Sequence, residues 1–219
     1  MRTILTSCAV LVPFVVAGCA AIDTFAGAPP ELALAEGGRA AIPVVISPDA
    51  GDGLRAVAGE LADYLGRITG AEFEVVTGDG SGGIVLGTVG QFPQPQHPQI
   101  AWSLRTRDGF DGKEAFVIRT EHNRLLLLGA TPLGASHAAF RFLEELGCRW
   151  FFPAEEWTVV PSRPTLRVRV NLEDRPAVWS RRIWYGWGFF DRARGKCQAD
   201  YQSWARHNRM ASSLWVYSG

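Results

Sequence analysis

Two pairs of neighbouring carboxylates, Glu144-Glu145 and Glu155-Glu156, are the first residues in this sequence whose types suit acid–base chemistry. Cleavage of a glycosidic bond asks for two carboxylates across the scissile bond, one of them with a raised pKa. Adjacent residues on a helix do not face each other, so Glu144 and Glu145 cannot converge on one bond. Both pairs read as solvated surface. The four His, at positions 97, 122, 137 and 207, show no metal-ligand spacing. His137 falls on an apolar helical segment and reads as a helix-surface or packing residue. No Ser, His and Asp set stands in a nucleophile context, and no glycine-rich phosphate loop is present. The sequence therefore offers no catalytic residue, no metal site and no cofactor.

The C-terminal segment is richer. From Arg175 onward it holds seven Arg (175, 181, 182, 192, 194, 206, 209) and Lys196, against only Asp191 and Asp200. Five of the eight Trp lie there too (179, 184, 187, 204, 215). The whole chain has 22 Lys and Arg against 22 Asp and Glu, so its net charge gives no argument for nucleic acid. The asymmetry is local. Trp184, Tyr185 and Trp187 could stack on the apolar faces of sugar rings. Arg181 and Arg182 could pair a uronate carboxylate in bidentate fashion. Strand alternation puts Trp184 and Tyr185 on opposite faces, so these aromatics cannot all line one site. Arg181, Arg182 and Trp184 are the candidate substrate-binding residues, and carbohydrate is the candidate partner.

The other end reads as an export signal. Arg2 precedes an apolar run over 4–16, shorter than the roughly 20 residues of a membrane-spanning helix and of signal-peptide length. It ends in Val16-Ala17-Gly18-Cys19, which resembles the bacterial lipobox, so Cys19 is the expected site of lipidation and membrane anchoring. Ala20, not Asp, follows it, so in a cell with two membranes the expectation is outer-membrane sorting. Residues 20–38, rich in Ala, Gly and Pro, read as a flexible tether. An oxidising compartment would permit a Cys148–Cys197 disulfide, but Cys148 follows a helix end and reads as a small buried apolar residue.

Between these ends, apolar periodicity sets the elements. A strand is expected over 42–46, then a helix capped by Asp52 and stopped by Gly70. Short strands follow over 73–76 and 84–86. Residues 91–112 read as a long loop. A hairpin over 115–120 and 124–128 turns at 121–123. Thr131 caps a helix with Pro132 in its first turn, and Gly147 ends it. Strands over 149–152 and 165–170 complete the unit. Beyond 176, strands over 183–185 and 214–217 flank a helix over 198–213. The fold class is α+β: a mixed sheet with two helices packed on one face, then the first β-α-β unit of a (β/α)8 barrel. Such a barrel takes about 250 residues, so the second unit reads as truncated.

Two stretches carry a family resemblance. Gly129-Ala130-Thr131-Pro132-Leu133-Gly134-Ala135, followed by Phe140 to Pro153 with Leu146-Gly147-Cys148-Arg149-Trp150-Phe151-Phe152-Pro153, resembles the N-terminal α/β domain of bacterial α-glucuronidases. The same domain precedes the barrels of β-hexosaminidase-like glycosidases. Leu61 to Gly70 and Asp108-Gly109-Phe110 fit the pattern, and Trp204 to Met210 is similar to the first barrel helix of relatives. The resemblance implies a domain that supports a barrel and does no chemistry, in a glycoside hydrolase acting on uronic-acid-bearing glycosides. Hexosaminidase barrels open with a Pro and, five residues on, a substrate-binding Arg. Pro176 and Arg181 match that spacing, whereas Arg182 stands where that family has Gly. The expected organisation is a lipoprotein signal over 1–19, a tether over 20–38, the α/β domain over 39–172 and the start of the barrel over 173–219. The alternative is a surface-anchored carbohydrate-binding or structural module without hydrolase activity.

Overall fold

The computed structural model describes residues 28–106, 113–178, 181, 183 and 191–210. Its centre is a six-stranded mixed sheet. In chain order the strands are β3 (Val44–Ile46), β4 (Val75–Thr77), β5 (Gly83–Thr88), β6 (Phe116–Thr120), β7 (Arg124–Gly129) and β11 (Asn171–Asp174). Their spatial order is β11-β6-β7-β5-β3-β4. The pairs β4–β3, β3–β5 and β5–β7 are parallel, while β6–β7 and β11–β6 are antiparallel. The fold is α+β with a mixed sheet, as the periodicity implied.

Leu125-Leu126-Leu127-Leu128 shows why the central strands read as unbroken apolar runs. Successive side chains point to opposite faces, and both faces are covered, as in the parallel sheets of α/β folds. Leu125 and Leu127 join Ile84, Leu86 and Ile118 beneath α1 (Asp52–Thr69) and α3 (Pro132–Glu145). Leu126 and Leu128 join Val85, Val117, Phe92 and Ile100 on the other face. Ile100 belongs to α2 (Pro98–Ser103), a six-residue helix inside the segment expected to be a loop over 91–112. Its three prolines hid it from periodicity. Fully burying a Leu or Ile such as Leu61, Leu65 or Ile68 of α1 stabilises by about 1.5–3 kcal/mol.

Helix ends follow sequence chemistry with one shift. The Thr131 side chain caps α3 by accepting from the Gly134 N–H at 3.3 Å, and Pro132 takes the first helical position. Gly51, not Asp52, is the cap residue of α1; Asp52 lies one place inside, where its charge favours the helix N-terminus.

The tether expected over 20–38 is corrected at its end. β1 (Leu32–Glu36) pairs antiparallel with β10 (Leu166–Val168) and, through a turn at Gly37-Gly38, with β2 (Arg39–Ala40). Both turn glycines have positive φ, 55° and 78°, the conformation that a two-residue hairpin turn requires. Leu32, Leu34 and Ala35 enter the core below α1 and α3, so the folded unit starts near residue 31 instead of 39. A short ribbon of β8 (Arg149–Trp150) and β9 (Thr158–Val159) follows α3. The last described helix, α4 (Asp191–His207), begins and ends earlier than the 198–213 expected. The strands expected over 183–185 and 214–217 lie outside the described residues, apart from Ile183. No described helix is long and apolar enough to cross a membrane.

Candidate functional site

The densest cluster of polar and aromatic side chains forms where α4 docks against α1, α3 and β8. Its foundation is local. The helical spacing of α1 places Glu60 and Tyr64 one turn apart on one face. Cys148 follows α3 and leads into β8, which carries Trp150 inward with 6% exposure. The Trp150 indole Nε1–H donates to the Tyr64 hydroxyl at 2.7 Å, and the two rings meet edge to face at 5.5 Å. A buried indole needs such an acceptor.

The tail is held on this platform by paired opposite charges. Glu60 accepts from the Arg206 guanidinium at 2.8 Å and is hydrogen-bonded to His207 Nε2. Glu144, on α3, accepts from Arg209 at 2.8 Å. Glu114, just before β6, accepts from Arg181 at 2.5 Å. Each carboxylate belongs to the α/β unit and each guanidinium to the C-terminal segment. The local excess of Arg thus becomes a set of docking contacts. Burial pushes the Glu60 carboxyl upward, but hydrogen bonding and charge from His207 and Arg206 outweigh it and hold the pKa below the usual value. An ionised Glu60 is the opposite of what a general acid requires.

Neutral contacts seal the same joint. The Trp150 carbonyl accepts from Trp204 Nε1–H at 2.9 Å and from Asn208 Nδ2–H at 3.1 Å. The His207 ring packs 4.8 Å from both Trp150 and Phe140. α4 ends in a Schellman motif: the Met210 N–H bonds the Ala205 carbonyl and the Arg209 N–H bonds the Arg206 carbonyl. This places Arg209 at φ 52°, a left-handed conformation that costs a non-glycine residue roughly 1–2 kcal/mol. The docking contacts give the reason for Arg there. Its side chain reaches Glu144 and its carbonyl accepts from Arg181 at 3.0 Å.

Arg181 therefore has a described environment: its guanidinium is shared among Glu114 and the carbonyls of Val178 and Arg209. Arg182, Trp184 and Cys19 lie outside the described residues. Glu144 and Glu145, although neighbours on the helix, both bond the Arg141 guanidinium one turn back, at 3.0 and 2.5 Å. Glu155 pairs with Arg67 at 2.6 Å. His137 is a packing residue, 1% exposed, and burial, reinforced by Arg181 and Arg209, lowers its pKa to about 3. Among the described residues, no group of three or more His, Cys, Asp and Glu is arranged to hold a metal. Among the described residues, a concavity of about 140 Å³ lies beside α4, bordered by Tyr64, Phe152, Asp200, Ser203 and Trp204. That is smaller than the roughly 300–1,000 Å³ of a ligand pocket. The cluster is built as a joint.

The fold has a counterpart among solved structures. It matches a family GH115 4-O-methyl-α-glucuronidase with specificity for decorated arabinogalactans, at TM-score 0.56 and 18% identity, over 82% of this chain and 25% of that one. The likeness is one of fold, and this chain spans a quarter of the length of that enzyme. No family model and no curated protein sequence matches the chain.

The sequence missed most of the docking residues: Glu60, Tyr64, Glu114, Arg206, His207, Asn208 and Arg209. One signal was available, the basic and aromatic C-terminal segment beside a mildly acidic remainder. Cys148 and Cys197 are both free. Burial pushes the Cys148 thiol up to about 11, against the opposing pull of Arg67, Arg149 and Arg163. Because the thiolate is the nucleophile, iodoacetamide at pH 8 is expected to label the half-exposed Cys197 and spare Cys148 in folded protein. Peptide mass mapping checks this; equal labelling of both would contradict the packing around Cys148.

Proposed function

We propose that this chain is the non-catalytic support portion of an exported, lipid-anchored glycoside hydrolase acting on polysaccharide-derived glycosides that bear uronic acids. The observation that carries the reading is the α-glucuronidase-like fold, joined to a C-terminal segment held by Glu60, Glu114 and Glu144. A support domain must fix its neighbour's orientation, and paired charges around an aromatic core do that more selectively than apolar contact alone. In this reading residues 173–219 open the barrel. Residues 1–19 form the signal, and Cys19 carries the lipid that holds the protein at the outer membrane. Arg181 serves the joint, which leaves Arg182 and Trp184 to meet the sugar.

The test compares two proteins. The product of the complete reading frame is expected to release 4-O-methylglucuronic acid from glucuronoxylan or decorated arabinogalactan, and the 219-residue chain is expected to release none. Turnover by the 219-residue chain would overturn the support role. Silence of the complete product on both polymers and on N-acetylhexosaminides would overturn the hydrolase reading.

A further inference from the structure

A second concavity, of about 410 Å³, opens where α2 meets the edge strand of the sheet, and the joint with α4 makes no use of it. Its volume falls in the roughly 300–1,000 Å³ range of small-ligand pockets. Strand alternation accounts for Glu173 in its lining; Asp174 and Phe116, one register position on, also border it. Leu172 of β11 turns toward the α1–α3 core, so Glu173 turns to the α2 side, opposite Val117. There Glu173 accepts from the Ser103 hydroxyl at 2.5 Å, and Arg175 donates to the Ser103 carbonyl at 2.5 Å. Two residues of the edge strand region thus fix the C-terminal end of α2. Asp174 and Phe116 pair at the adjacent position.

Against this braced wall stands Trp102, whose indole is 66% exposed. The Arg105 guanidinium lies 3.1 Å from the ring centroid. That contact covers one face of the indole and leaves stacking to the other. The cleft therefore combines an exposed aromatic side chain, two exposed carboxylates and a guanidinium.

The geometry points to a carbohydrate-binding subsite in this cleft, with Trp102 stacking on the C–H face of a neutral pyranose and Glu173 and Asp174 accepting from its hydroxyls. An aromatic face paired with planar polar side chains is the chemistry that recognises a sugar, which is apolar on its faces and hydroxylated at its rim. The two carboxylates disfavour a uronate here and select the neutral units of a chain. Only the choice of sugars to test rests on the glycoside hydrolase reading.

The experiment titrates the 219-residue chain with xylohexaose and, separately, with galactohexaose. It follows heat by calorimetry and the indole N–H signals by ¹⁵N NMR. Saturable binding that moves the Trp102 indole signal is expected with at least one probe. Trp102→Ala should weaken it about tenfold, and Trp102→Phe should restore most of the loss. Asp174→Asn, which keeps shape and removes charge, should weaken it less, and circular dichroism confirms folding of each variant. No saturable binding with either probe overturns the subsite, as does binding that leaves the Trp102 indole unmoved. Hydrolysis by the complete product is scored separately, so failure here does not touch that reading, nor the reverse.

Discussion

A Gly129→Ala chain is expected to lose about 3 kcal/mol or more of folding stability, because the new methyl has backbone on every side. Gly129 closes β7, and a Cβ there would collide with the amide nitrogen of Ala135, the carbonyl carbon of Gly134 and the Thr131 oxygen. None of these is the free end of a flexible side chain, so the first turn of α3 must move. It cannot move far. A Cβ at Gly134 would itself meet the Ala115 carbonyl oxygen at 2.5 Å, and that carbonyl accepts from the Ala130 N–H at 2.9 Å. The stretch 129–135 thus brings β6, β7 and α3 into backbone contact, which explains why both positions are glycine. Gly53→Ala makes the same chemical change in α1, where nothing lies within 4 Å. It should stabilise by about 0.5–1 kcal/mol through helix propensity. Urea unfolding of both variants gives the comparison. Equal, small shifts would mean that the β7–α3 junction is looser than the structure shows.

Stability should also fall as the solution is acidified from pH 6.5, with His137 as the main cause. Burial keeps this imidazole neutral in the folded chain down to about pH 3, while the unfolded chain takes up its proton near 6.5. A lowered folded pKa gives stability that is complete above the unfolded value and is lost as pH falls toward the folded one. The slope for one proton is about 1.4 kcal/mol per pH unit, and the whole window is worth on the order of 5 kcal/mol. Glu60 adds a second loss at lower pH. Its folded pKa lies below the usual 4.5, so its contribution is present above that value and disappears as the carboxylate protonates. The two are separable by pH. His137→Gln should flatten the dependence between pH 6.5 and about 4.5 and leave the steeper fall below it. Urea midpoints across that range supply the measurement. An unchanged slope in the variant would remove His137 from the explanation. The groups facing this helix surface are charged whatever the pH in that window: Arg181 and Arg209 contribute positive charge that further opposes a proton on His137.

Some elements were legible because their causes are local. Thr131-Pro132 and Gly147 bound α3 by capping chemistry alone. The hairpin strand over 124–128 was legible from its apolar run, and its burial on both faces is what the structure adds. Other elements were missed for equally physical reasons. β1 holds only five residues in an Ala-rich stretch, and pairing with β10, more than a hundred residues away, makes it a strand. The Gly37-Gly38 turn was a local clue to the hairpin that composition masked. α2 is too short and too rich in neighbouring prolines to carry a helical period, and the apolar face of the sheet selects it.

By itself, the sequence determined the α+β class, the main helix and strand positions, and the surplus of Arg and Trp near the C-terminus. Each follows from interactions within a few residues, where spacing fixes geometry. Tertiary structure alone decided which acid meets which Arg, that His137 is buried and neutral, and that Trp102 stands beside Glu173 and Asp174. Those pairings join residues up to 146 or 147 positions apart. Nothing in local chain stiffness or propensity brings such partners together; the packing of α1 and α3 against one sheet does.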